Sequence, residues 1–105
     1  MTKTATERPA QILDVRGAFL RRTDLSNANL ERANLAGADF SNAILRGANL
    51  KDANLNGTVL KGADLTDAQN LTFSQLAEAI VDETTTLPAH FSISALSKHQ
   101  AQIAD

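Results

Sequence analysis

The chain has 105 residues, enough for one small domain and too few for a second core or a separate substrate-binding lobe. Without cysteine it has no disulfide, thiolate metal ligand or cysteine nucleophile, and 10 basic against 12 acidic residues argue against a strong nucleic-acid footprint. Tryptophan and tyrosine are absent and phenylalanine supplies all four aromatics, which leaves little for stacking on bases or sugars.

Residues 1–12 are polar, are broken by Pro9 and hold no apolar core of the kind a secretory leader needs. They are expected to form a flexible segment. No apolar run approaches the roughly 20 residues that span a bilayer, so a soluble, cytoplasmic chain without membrane contact is expected.

From residue 13 a period of five takes over. Large apolar residues, here called hubs, fall at Val15, Leu20, Leu25, Leu30, Leu35, Phe40, Leu45, Leu50, Leu55, Leu60 and Leu65, until Asn70 breaks the series beside Leu71. Two residues before each hub stands a small side chain, such as Ala18, Ala38 or Thr58, with Leu13 before Val15 the one exception, and between the two is usually Asp or Asn. Five matches neither the 3.6 of a helix nor the 2 of a strand, so a unit that cannot bury its own apolar face must stack on copies of itself. All five glycines, Gly17, Gly37, Gly47, Gly57 and Gly62, share the slot two after a hub, where Asn27 and Asn42 also sit. A slot filled by Gly or Asn implies positive φ and hence a type II-like turn.

The tandem pattern A(D/N)LXX, over more than half the chain, resembles the pentapeptide-repeat family. The resemblance implies an all-β solenoid, a right-handed quadrilateral β-helix in which four pentapeptides close one coil. Residues 13–72 then make about three coils, with residues twenty apart stacked at about 4.8 Å per layer. Leu20, Phe40 and Leu60 form one vertical stack, Gly17, Gly37 and Gly57 one uniform corner, and Glu31 lies over Lys51 and Arg32 over Asp52. Phe19, Ile44, Val59 and Gln69 depart from Asp/Asn in the outward slot.

Thr72 to Gln75 has the form of a capping box, and Phe73, Leu76, Ala77 and Ile80 follow helical spacing. A capping α-helix over 73–81 is expected to lay its apolar face on the last coil, with a loop and tail over 82–105. Phe91, Ile93, Leu96 and Ile103 stand among polar residues there. They fit a short second helix over 95–103, an extended self-association arm or an unstructured tail, and they are the candidate route to a homodimer.

No catalytic constellation emerges, so the chain is expected not to be an enzyme and to carry no cofactor. Asp and Asn recur as repeat chemistry, each glycine is claimed by a turn, and His90 and His99 stand apart without a cluster of metal ligands. The resemblance also implies one known activity of the family, protection of DNA gyrase by a long acidic β-helix that imitates duplex DNA. Between residues 13 and 72, however, seven acids meet seven bases, a balance of zero. A stack of about 15 Å spans fewer than about five base-pair steps. The sequence therefore points first to a noncatalytic protein-interaction or structural module with another protein as partner and no direct nucleic-acid contact; the alternative is a small DNA mimic that binds or protects a topoisomerase such as gyrase. The outward side chains least explained by the repeat, Phe19, Ile44 and Val59, lie beside Arg21, Arg22 and Lys61. These six are the candidate contact patch.

Overall fold

A computed structural model describes residues 13–91. Its period of five becomes a square coil in which the outward-slot residues from Asp14 to Asn49 pair in parallel with those twenty residues on. One line of bridges joins Asp14, Asn34 and Asn54, the next Phe19, Asp39 and Val59, the third Asp24, Ile44 and Asp64, and the fourth Asn29, Asn49 and Gln69. Hydrogen bonds follow this register throughout. Leu20 N–H donates to Asp39 O at 2.8 Å and Asp39 N–H donates to Ala18 O at 2.8 Å.

Each corner is closed by the residue three after the hub, as where Ala38 N–H donates to Leu35 O at 3.0 Å. Positive φ holds in every corner slot. Gly37 has φ 69, and so, against the preference of their side chains, do Arg22 and Arg32 at φ 60 and Asp52 and Asp67 at φ 58. Only the second corner residue is left-handed, which makes these type II turns. The Asp or Asn before the hub explains itself in the same geometry. Its side-chain oxygen accepts the amide two residues on, Asp24 from Ser26 at 3.0 Å and Asn54 from Asn56 at 3.0 Å, an amide that the inter-coil ladder does not use.

Inside, the hubs and small residues fill the coil. Leu35, Phe40, Leu45, Leu50 and Leu60 are each 1 % exposed, and Ala38, Ala48 and Ala63 are fully buried. Thr58, in a small-residue slot, is also fully buried and donates its hydroxyl to Leu35 O at 2.7 Å. Among the hubs of residues 13–71, burial is incomplete only at the beginning, where Val15, Leu20 and Leu25 are half-buried and Leu13 is 46 % exposed.

After Leu71 the chain leaves the square for α1, Phe73–Glu78. Thr72 and Gln75 form the capping box, and the Gln75 amide reaches back to Leu50 O at 2.8 Å and Ala53 O at 3.0 Å. Leu76 is fully buried, so α1 lies on the end of the coil beneath it. The helix stops at Glu78 rather than at the expected 81 because Ile80 is taken by the ladder: it donates to Thr58 O and accepts from Leu60 N–H, both at 2.8 Å. Phe73, at the first helical position, is 37 % exposed rather than on the buried face.

Residues 82–88 are likewise more ordered than the loop expected there. Thr86 donates to Ala63 O at 2.9 Å and accepts from Leu65 N–H at 2.7 Å, while the buried Thr85 donates its hydroxyl to Leu60 O at 2.8 Å. Ala79-Ile80-Val81 and Thr85-Thr86-Leu87 are thus two more small–outward–hub units, set six residues apart instead of five. We refer to 79–87 as the strap. The expected flexible segment 1–12, and the alternatives for 95–103, lie outside the described residues.

Candidate functional site

The outward slots of the coil fall into two kinds. Where Asp or Asn occupies the slot, its side chain is tied to the corner that follows. Phe19, Ile44 and Val59 cannot make that bond, and among the described residues the amides of Arg21, Arg46 and Lys61 have no protein acceptor. Water satisfies such surface groups, so the loss is below the roughly 1 kcal/mol of a typical protein hydrogen bond. The corners themselves therefore gain nothing from apolar side chains in these slots.

The geometry divides the expected patch. Phe19 stands 85 % exposed in the first described layer of its stack. Asp39 follows beneath it, then Val59 and Ile80 as bridged neighbours. Val59 is half-buried because Ile80, which helical spacing had assigned to the buried face of α1, lies against it and is itself 43 % exposed. Ile44 is 37 % exposed around the next corner, between Asp24 and Asp64 in its ladder. The flank thus carries an apolar pair, Val59 and Ile80, with Phe19 separated from it by a carboxylate. Helical spacing hides the ladder position of Ile80, whose signal is the unit Ala79-Ile80-Val81, which matches the repeat.

Charges on this flank are only partly free. Arg21 lies 3.8 Å from Asp39, and Lys61 is close enough to Asp82 to help hold that carboxyl below its usual range, after the larger effects of the Thr84 hydroxyl and amide. Asp39 is likewise lowered, first by the Ser41 hydroxyl and amide, with Arg21 adding to them. Burial raises Asp64, but the Thr66 hydroxyl and amide together with Arg46 outweigh it and the carboxyl is lowered overall. Arg22 has no ion pair among the described residues. The expected pairs of Glu31 with Lys51 and Arg32 with Asp52 do not form within 4 Å. The inter-coil pairs are instead Arg21 with Asp39 and Arg46 with Asp64, at 3.1 Å, each eighteen residues apart. An arginine just after a hub reaches diagonally to the outward slot of the next coil.

Of the tail residues, Phe91 is half-buried against the core, with the His90 ring centroid 4.3 Å from its own. Ile93, Leu96 and Ile103 lie outside the described residues. Among the described residues no three His, Cys, Asp or Glu gather where they could hold a metal ion, and no helix is long and apolar enough to cross a membrane. An open depression of about 480 Å³ lies where α1 meets the coil, lined by Lys51, Asp52, Ala53, Asn70, Leu71, Thr72 and Gln75. Its one amide side chain aimed at the backbone, Gln75, is already spent on two carbonyls.

A family model of pentapeptide repeats matches residues 14–47 and 43–81, eight copies in all. The chain belongs to the pentapeptide-repeat family. Among solved structures, this pentapeptide-repeat protein resembles two trypsin-treated variants of QnrB1, described as a plasmid-mediated fluoroquinolone resistance protein. One is 19 % identical with a TM-score of 0.59 over 84 % of this chain and 40 % of that one. The other is 18 % identical with a TM-score of 0.61 over 88 % and 43 %. At such identity the likeness shows the fold alone, a right-handed quadrilateral β-helix, and the chain spans about two-fifths of QnrB1. The pentapeptide repeat protein alr5209 from Nostoc Pcc 7120 is 26 % identical over 79 % of this chain and 80 % of its own, with a TM-score of 0.35, too low to carry an argument. Among curated proteins, none matches the chain.

Proposed function

We propose that this pentapeptide-repeat protein is a noncatalytic, cytoplasmic protein-interaction module: a stack of about three square coils, closed by α1 and the strap, that presents an apolar flank to another protein. The observation that carries the reading is chemical. At Phe19, Ile44 and Val59 the coil forgoes the hydrogen bond that its Asp and Asn units make, and keeps an apolar side chain in a slot that turns outward. Val59 with Ile80, and Ile44 around the corner, form the contact, with Lys61 and Arg22 on its margin.

The test is affinity capture from the source cell with the wild type and with the double variant Ile44→Asn, Val59→Asp. Both substitutions restore the repeat's own hydrogen-bonding side chain, so β-type circular dichroism should be unchanged. A partner held by the wild type should be lost by the variant. Equal capture by both would end the reading.

The QnrB1 fold likeness supports a second reading, a role in fluoroquinolone resistance through a topoisomerase. Charge opposes it, since seven acids balance seven bases over residues 13–72 and several acids are paired with arginine. Inhibition or protection of gyrase supercoiling by micromolar protein would establish the second reading over the first.

A further inference from the structure

Among the described residues the stack begins on a β-edge without a backbone partner, and its geometry restricts what can pair with it. In the interior coils the outward-slot residue turns both its N–H and its C=O toward the preceding coil, as Asp39 does toward Ala18 and Leu20. In the first described coil the same groups of Asp14, Phe19, Asp24 and Asn29 have no partner among the described residues. Beneath that edge the hubs Val15, Leu20 and Leu25 are only half-buried, and Phe19 is 85 % exposed. An edge with paired donors and acceptors above incompletely covered leucines is a template for another chain.

An ordinary extended peptide fits it poorly. The edge turns a corner every five residues, so a straight strand could pair along one side of the square and would leave the other three bare. Only a chain that turns at the same interval can follow all four sides. The residues just upstream do not carry that pattern, for Arg8 would fall in the small inward slot, Pro9 in the outward slot and Ala10 in the hub slot. The opposite end of the stack does not offer it either, because α1 replaces one side and the strap spaces Ile80 and Thr86 six residues apart. What remains with matching corners is the same edge of a second molecule.

We propose that two copies of this chain join edge to edge through their first coils, about a two-fold axis. The strands then meet antiparallel, the arrangement in which opposed residues exchange both backbone hydrogen bonds. That suits a slot whose N–H and C=O point the same way. The first twenty described residues carry Asp14, Asp24 and Glu31 against four arginines, so the edge does not repel its own copy. The joint buries Phe19 and completes the cover over Val15, Leu20 and Leu25. Because the far end cannot repeat the contact, the assembly closes as a dimer and does not grow into a filament.

Phe19→Pro removes one edge N–H, which the isolated coil does not use, and leaves that side of the joint without its donor. Phe19→Asp supplies the repeat's own corner bond and guards against a folding defect of the proline variant. In sedimentation over a wide concentration range the wild type should run as a dimer and both variants as monomers. Circular dichroism should be unchanged. The amides of Asp14, Asp24 and Asn29 should resist exchange in the wild-type dimer and exchange freely in the variants. Ile44→Asn with Val59→Asp should lose partner capture and stay dimeric, which separates this joint from the flank. A monomeric wild type would overturn the proposal, as would a dimer that survives both Phe19 changes, the outcome if the tail residues Phe91, Ile93, Leu96 and Ile103 join the copies.

Discussion

Leu20 and Leu60 occupy the same slot in the same vertical stack, two coils apart. Leu60 is 1 % exposed, with Ile80 of the strap hydrogen-bonded at its own backbone, whereas Leu20 is only half-buried above a backbone edge that has no described partner. Between equivalent residues the difference arises wholly from what lies on top. A repeat supplies the same interior everywhere, and its ends differ by what is added to cover them.

The largest test of that contrast lies in one stack. Phe40→Ala, in the closed middle, should cost about 3–5 kcal/mol in chemical denaturation. Leu20→Ala at the open end should cost less than half as much, and equal losses would mean that the first coil is as well covered as the second. Leu76→Ala removes the buried foot of α1 and should cost about 2–4 kcal/mol, with faster amide exchange at Ile80 and Thr86 showing that helix and strap loosen together. Thr85→Val deletes the hydroxyl that donates to Leu60 O and accepts from Asp82 N–H. That change should cost about 1–2 kcal/mol by thermal unfolding. Arg32→Gly relieves a corner held at φ 60 and should stabilise the fold by up to about 1 kcal/mol, a gain that marks the corners, in contrast to the ends, as places where sequence opposes geometry.

Acid should act on both ends. Asp14 and Asp24 of the first coil are lowered chiefly by the hydrogen bonds of Arg16 and Ser26, and Asp82 of the strap by those of Thr84. With folded values below the unfolded ones, their contribution is complete above the ordinary carboxylate range and is lost as pH falls through the lowered values. Melting temperature should therefore fall below about pH 4. Asp24→Asn keeps the corner bond, so it should flatten this fall while leaving the neutral-pH value nearly unchanged.

Hubs, small residues and ladder register were all readable from the sequence because the period forces them. Positive φ was legible at Gly and Asn corners but not at Arg22, Arg32, Asp52 and Asp67, where the ladder on either side dictates the turn whatever residue fills it. The strap was hidden by one extra residue, which broke the count of five, and by the spacing of Leu76 and Ile80, which also fits a helix. For the flank the outward direction of Phe19, Ile44 and Val59 was legible. The shielding of Val59 by Ile80 was not, since it depends on the concealed strap. The ion pairs were misplaced by two residues because stacking gives the separation of backbones, while long arginine side chains reach across it.

Since one side of the square is five residues long, inserting a single pentapeptide between the first coil and α1 would leave the interior contacts intact. It would turn everything downstream by a quarter revolution. The angle between the Phe19 edge and the strap is therefore a stepped dial, set in right-angle increments by unit count, while insertions of any other length would jam it.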